Sequence, residues 1–286
     1  MSDVLEHSVV EYKSGEKPTW CPGCGDFGVL NAVYNALAAK GYNSKDVVCV
    51  SGIGCSSRLP YFMATYGFHT IHGRAMPVAT GIRVANPDLK VLAFGGDGDA
   101  FAIGAGHFVH AVRRNLDITY VIMDNSIYGL TKGQTSPTSG FGFVSKSTPN
   151  GAIDRPLNPL MLAITAGATF VARAYSGKPK ELADLIVQGI DHRGFSVIHV
   201  FSPCPTFNKV NTFKSYRDEV AAVPADHDPA NKVAALALAN SDEPLYTGLL
   251  LRETGVMTFE DALGRFHVGD ETNRRQVIDA MLRKYS

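Results

Sequence analysis

Two short runs of glycine, aspartate and asparagine stand where apolar segments end. Val91 to Phe94 leads into Gly95-Gly96-Asp97-Gly98-Asp99, and Ile118 to Met123 leads into Asp124-Asn125-Ser126-Ile127-Tyr128-Gly129. Glycine lets the backbone approach an anion closely, and the free amides of a helix start attract phosphate, so the first run can cradle a diphosphate. Magnesium takes hard oxygen donors in an octahedron: one or two side-chain oxygens, backbone carbonyls and phosphate oxygens. Asp97 and Asn125 can supply two of them. Either run alone reads equally well as a tight turn, because glycine and aspartate are common where strands end. The informative observation is the pair, with one helix and one strand between its members.

Cysteine makes a second constellation. Cys21 and Cys24 form a C-x-x-C, Cys55 sits in Gly52-Ile53-Gly54-Cys55-Ser56-Ser57-Arg58, and Cys204 sits in Ser202-Pro203-Cys204-Pro205. Cys49 differs, lying inside the apolar stretch Val47 to Ser51, where a thiol serves as a small buried hydrophobe. The other four fall in loops near element ends and can close around one metal centre. Zinc and iron–sulfur clusters both accept four thiolates. On these residues alone zinc ranks first, and C-x-x-C by itself also fits a redox pair or half a zinc site. Five cysteines, an odd number in a chain without a secretory segment, disfavour a disulfide framework.

Elements of a definite kind must position these groups. Val47–Ser51, Val91–Phe94, Ile118–Met123 and Val197–Phe201 are short, apolar and β-branched, as buried parallel strands are. Helical spacing over Asp26–Lys40, closed by Gly41, and over Pro77–Val84, Ala100–Arg114 and Lys180–His192 alternates with them. The class is α/β, a doubly wound parallel sheet. In such sheets ligands lie at the carboxyl ends of strands, where both glycine–aspartate runs fall. Thr131 to Asn158, crowded with Gly, Ser, Thr and Pro, reads as a functional loop beside the site. Residues 1–205 are expected to form the ligand-binding domain. Residues 206–286, where the alternation stops, form an extension packed on that domain or on a partner, with an amphipathic helix near Thr272 to Lys284.

Bulk properties exclude several classes. Lys plus Arg and Asp plus Glu number 27 each among 286 residues, without a run of like charge, so no nucleic-acid or anionic-membrane surface is expected. No apolar stretch has the length of a signal peptide or a membrane span, which points to a cytoplasmic protein. No G-x-G-x-x-G follows a first strand, which removes the nicotinamide-binding reading.

Taken in order, Trp20-Cys21-Pro22-Gly23-Cys24-Gly25, then G-I-G-C-S-S-R-L-P-Y from Gly52, His72-Gly73-Arg74-Ala75 with a following A-T-G, the G-D-G at Gly96 and D-N-S-I-Y-G at Asp124 resemble the β subunit of 2-oxoacid:ferredoxin oxidoreductases. The likeness runs from Trp20 to Pro205. It implies thiamine diphosphate and Mg2+, with the metal on Asp97, Asn125 and the main-chain carbonyl of Ile127. Gly96, Gly98, Asp99, Gly129 and Leu130 would lie against the diphosphate, and Ile53, Gly54, Cys55, Ser56 and His72 would also touch the cofactor. It further implies a 4Fe–4S cluster on Cys21, Cys24, Cys55 and Cys204, close to the thiamine ring. Cys49 and His69 receive no role.

The same resemblance implies a reaction: coenzyme A-dependent oxidative decarboxylation of a 2-oxoacid, or its reversal, with electrons passing through the cluster to ferredoxin. The activating glutamate and much of the coenzyme A site are then expected from an α subunit, or a fused αγ subunit, in a hetero-oligomer with two copies of each chain. Arg58, three residues past Cys55, is the candidate for a substrate carboxylate, since a guanidinium fork matches a carboxylate in two parallel hydrogen bonds. The S-S-R-L-P-Y form resembles members acting on 2-oxoglutarate, with pyruvate the alternative. A non-oxidative thiamine decarboxylase and a zinc-stabilised non-catalytic binding module are the competing classes.

Overall fold

The computed structural model describes residues 7–266 together with residues 276, 279, 280 and 282–284. Its first half runs α1 (Asp26–Lys40), β1 (Val47–Ser51), β2 (Tyr66–His69), α2 (Ala75–Ala85), β3 (Lys90–Gly96), α3 (Ala105–Arg113) and β4 (Thr119–Asp124). The second half runs α4 (Pro159–Ala166), β5 (Phe170–Tyr175), α5 (Pro179–Asp191), β6 (Ser196–Phe201), α6 (Phe213–Glu219), β7 (Val220–Ala222), α7 (Lys232–Ala239), β8 (Leu245–Arg252) and α8 (Phe259–Phe266). The strands form one sheet in the order β2-β1-β3-β4-β6-β5-β8-β7. From β2 to β5 all pairing is parallel; β8 then runs antiparallel to β5, and β7 runs parallel to β8.

Side chains alternate across the sheet with period two, and both faces are covered. Val47 and Cys49 join the core under α1 and α5, while Val48 and Val50 join the core under α2, α3, α4 and α7. Cys49 is therefore a fully buried part of the first core, as its strand position implied. The chain goes from β1 outward to β2 and then returns to β3 on the other side of β1, which makes a topological switch point at the β1/β3 boundary. Ser51 registers with His69 and with Phe94, and Gly96 with Met123, so the loops leaving these four strands emerge on one side.

Three departures from the sequence reading have physical reasons. The predicted helix over Ala100–Arg114 is two pieces, a π-helical turn over Asp99–Ile103 and then α3, separated by Gly104. The alternation does not stop at Thr206, because β8 adds to the sheet beside β5 and α7 packs on α4. The strands β2 and β5 also went unread: all four residues of β2 are exposed, as at a sheet edge, and β5 carries Arg173 in its middle. The helix read near Thr272 to Lys284 falls mostly outside the described residues.

Candidate active site

The loops at the carboxyl ends of β1 to β4 enclose a cavity of about 470 Å3. Ile53, Gly54, Cys55 and Ser56 line it from the loop after β1, and His72 from the loop after β2. Gly96, Asp97, Gly98 and Asp99 line it from the end of β3 and the helical turn that follows, whose first amides are thereby left at the wall. Asn125, Ile127, Gly129 and Leu130 complete it from the loop after β4. Tyr128 covers Gly98 so closely that a Cβ there would stand 2.1 Å from its ring, so only glycine fits.

Asp97 is buried and faces a second buried carboxylate across a single hydroxyl. Thr138 Oγ1 is 2.9 Å from Asp97 Oδ2 and 2.8 Å from Asp124 Oδ1. Asp124 also accepts from Ser126 N at 2.9 Å and lies 2.8 Å from His199 Nε2. Burial would raise Asp124, but His199, Thr138 and the Ser126 amide together outweigh it and keep its carboxyl below the ordinary value. Burial, then the Asp124 charge, hold Asp97 well above the ordinary range. One hydroxyl has one proton, so the arrangement closes if Asp97 carries a proton toward Thr138 and Thr138 donates to Asp124. A divalent cation at Asp97 would replace that proton. Asn125 Oδ1 accepts from Ile127 N at 3.1 Å, which fixes the asparagine against the turn whose carbonyl is the third proposed ligand. The donor set fits magnesium.

Asp99 has a different task from its neighbours. Its Oδ1 accepts from Ile53 N at 2.8 Å and Gly73 N at 2.7 Å and lies 3.1 Å from His72 Nδ1. The carboxylate thus ties the loops after β1 and β2 to the helical turn. His69 turns away to Ser57 O and Ser51 Oγ.

Beside this cavity lies a smaller one of about 130 Å3, lined by Cys21, Cys24, Cys55 and Cys204. Cys55, Asn125, Gly129 and Leu130 line both. Gly25 N donates to Pro203 O at 3.0 Å, and Ser202 Oγ donates to buried Asp26 at 2.7 Å, so the C-x-x-C loop is fastened to the Cys204 segment. Trp20 Nε1 donates to Cys55 O at 2.7 Å and brings the third segment in. Arg58 lines this smaller cavity and not the larger, its Nη1 donating to Thr19 Oγ1 at 3.2 Å.

The family model "Thiamine pyrophosphate enzyme, C-terminal TPP binding domain" matches residues 52–200, and the model for the C-terminal part of the pyruvate ferredoxin oxidoreductase beta subunit matches residues 204–268. The 2-oxoacid:ferredoxin oxidoreductase subunit beta of Sulfolobus sp is 50% identical over 217 residues, covering 74% of this chain and 71% of that one. The chain belongs to this family of β subunits. A 2-oxoglutarate synthase subunit KorB of Archaeoglobus fulgidus is 44% identical over 191 residues, 67% of this chain and 71% of that one. Among solved structures, a 2-oxoglutarate:ferredoxin oxidoreductase from Magnetococcus marinus, with 2-oxoglutarate, coenzyme A and succinyl-CoA bound, superposes with a TM-score of 0.92 at 48% identity over 97% of both chains.

A 2-oxoacid:ferredoxin oxidoreductase β subunit is a thiamine diphosphate-dependent oxidoreductase chain that functions with partner subunits, and thiamine diphosphate fits the larger cavity. Membership removes the non-catalytic binding module. Among the described residues no three His, Cys, Asp or Glu side chains converge closely enough to hold one metal ion. Four thiols lining one small cavity are the donor type that zinc and iron–sulfur clusters both take. Burial, with the nearby Asp26 carboxylate, pushes the Cys55 thiol up to about 11 and Cys24 up as well, so ligation must displace protons.

Sequence reasoning missed Tyr128, Thr131 and Gln134 in the larger cavity and Thr138 behind it. Tyr128 stood within a quoted motif; the others lie in the aperiodic loop, where spacing carries no signal. No helix among the described residues is long and apolar enough to cross a membrane.

Proposed function

We propose that this chain, with an α or fused αγ partner, catalyses coenzyme A-dependent oxidative decarboxylation of 2-oxoglutarate to succinyl-CoA, or the reverse, passing electrons to ferredoxin. The observation that carries the reading is the shared wall: Cys55, Asn125, Gly129 and Leu130 border both the diphosphate cavity and the cysteine cavity. A non-oxidative thiamine enzyme has no use for four thiols there.

Asp97, Asn125 and the Ile127 carbonyl hold magnesium, and the backbone of Gly96, Gly98, Asp99 and Gly129 receives the diphosphate. Cys21, Cys24, Cys55 and Cys204 hold a 4Fe–4S cluster. Thiamine diphosphate supplies the electron sink that lets a 2-oxoacid lose carbon dioxide. The names of the relatives and the ligands of the Magnetococcus marinus structure support 2-oxoglutarate over pyruvate. Arg58 receives the distal carboxylate of the substrate; it lies one wall from the larger cavity, next to Cys55 and Leu130, which line both. The setting is a cytoplasmic hetero-oligomer with two copies of each subunit.

Anaerobic purification with the partner tests the reading. Iron with equimolar acid-labile sulfide, and succinyl-CoA formed faster from 2-oxoglutarate than acetyl-CoA from pyruvate, are expected. Stoichiometric zinc without sulfide would defeat the oxidoreductase assignment, and a preference for pyruvate would defeat the substrate.

A further inference from the structure

The turn after β4 does not hold its shape unaided. Ser126 sits at φ 54°, in the left-handed region that a residue with a side chain enters at a cost, so neighbouring segments must keep it there. They do so through the backbone carbonyls. Asp124 O accepts from Ser202 N at 2.7 Å, Asn125 O from Asn208 Nδ2 at 2.9 Å and Ser126 O from Ser139 Oγ at 2.7 Å. Further along, Tyr128 O accepts from Gly133 N at 2.8 Å and Gly129 O from Lys132 N at 3.2 Å. Between Asp124 and Gly129 only the Ile127 carbonyl receives no donor from the described residues, and Ile127 lines the larger cavity. A carbonyl without a donor is suited to a hard cation.

Of the side chains holding this turn, Asn208 is the most completely fixed. It is fully buried, and its main-chain N donates to Cys204 O at 3.0 Å. Its Oδ1 accepts from Val210 N and Asn211 N, both at 2.9 Å, while Nδ2 donates to Asn125 O and to Asn211 Oδ1, again both at 2.9 Å. Backbone N–H groups only donate and carbonyls only accept, so the side-chain amide has a single orientation, with every donor and acceptor used. A side chain held in this way transmits the position of its own segment to whatever it grips. What it grips is the main chain of Asn125, whose side chain lines the larger cavity and accepts from Ile127 N at 3.1 Å.

We propose, on the reading that Asn125 and the Ile127 carbonyl hold magnesium, that Asn208 is a positioning residue for that metal: its amide pins the Asn125 carbonyl and so keeps both ligands presented to the cavity. The segment after Cys204 thereby sets the geometry of a metal site on another loop. Its two grips are chemically distinct, since Asn208 holds Cys204 through main chain and Asn125 through side chain. Substitution at this position separates them.

The test uses the complex reconstituted with its partner, carrying Asn208→Asp, Asn208→Ala or Asn211→Ala, with magnesium titrated calorimetrically in the presence of thiamine diphosphate. Asn208→Asp keeps the shape and the acceptor oxygen but sets a second oxygen against Asn125 O. Magnesium affinity should fall roughly tenfold in both Asn208 variants, and roughly threefold in Asn211→Ala, which removes only the acceptor that steadies the amide. Turnover should recover at saturating magnesium, because Asn208 lines neither cavity. The visible absorption of the parent complex should persist, because the Asn208 main-chain N still reaches Cys204 O. Asn211 is only partly buried, so its variant decides the matter if the Asn208 variants do not fold. Parent magnesium affinity in the folded variants, a loss of turnover that magnesium does not restore, or loss of the visible absorption together with the metal would each overturn the proposal. Asn125→Ala serves as the reference: parent affinity there defeats the ligand reading itself, whereas weakened binding there beside parent affinity in folded Asn208 variants defeats the positioning role alone.

Discussion

Each proposed ligand makes a separable claim. Asp97→Ala and Asn125→Ala should each weaken magnesium-dependent thiamine diphosphate binding by roughly a hundredfold, read by cofactor titration of the reconstituted complex. Near-normal affinity in both would remove them from the metal shell. Among the cysteines, losing Cys21, Cys24, Cys55 or Cys204 should abolish a broad visible band that bleaches on reduction. Cys49→Ala should keep it, because Cys49 lies in the core under α1 and outside both cavities. If Cys49→Ala lost the band and one of the others retained it, the ligand set would need redrawing. Arg58→Leu removes a guanidinium whose side-chain hydrogen bond is to Thr19, so structural cost should be small. Loss of 2-oxoglutarate turnover by roughly ten- to a hundredfold, with pyruvate turnover far less affected, is expected. An equal loss on both acids would make Arg58 structural.

Secondary structure beyond Thr206 is tied to the domain by a partly buried charge cluster around the buried Arg83. Arg83 at the end of α2 donates to Glu260 at 2.7 Å and to Asp117 at 3.0 Å, and also to the carbonyls of Pro87 and Leu89. Arg83→Met would leave two carboxylates facing each other and should cost about 3 kcal/mol, seen as a lower urea midpoint. An unchanged midpoint would make α8 a loose attachment. The core strands were legible because a strand buried on both faces is a continuous apolar run, as Val47–Ser51 is. Exposed Tyr66–His69 lacked that signature. Phe170–Tyr175 was hidden by Arg173, which is buried with its guanidinium 5.3 Å from the Phe201 ring centre. The π-helical turn at Asp99 was hidden because its side chains do not repeat at the 3.6-residue period. The glycine–aspartate motifs and cysteines were legible because their chemistry is local. Thr138 was not, since only the folded loop brings it between Asp97 and Asp124.

The assembled fold also sets a response to acid. His192, buried where α5 ends, bonds Thr169 Oγ1 at 2.8 Å, and burial, with Arg252 nearby, lowers its imidazole to about 4 from the ordinary 6.5. The unfolded chain therefore takes up a proton there before the folded one does. The contribution is complete above pH 6.5 and is lost as pH falls toward 4, amounting to about 2 kcal/mol after allowance for partial solvent access. Urea midpoints at pH 7 and pH 5 should diverge less in His192→Gln than in the parent; identical divergence would assign the slope to other groups. The two cavities, finally, are divided at Gly129 by a partition with no side chain. A Cβ added there would stand 3.6 Å from Cys204 Sγ and 3.7 Å from Cys55 Sγ, ordinary contact distances. One methyl group can be accommodated, whereas every longer side chain must press on the thiols or bulge into the larger chamber. The bare backbone at this position therefore sets how thin the insulation between the chambers is, and any thickening there would act on both at once.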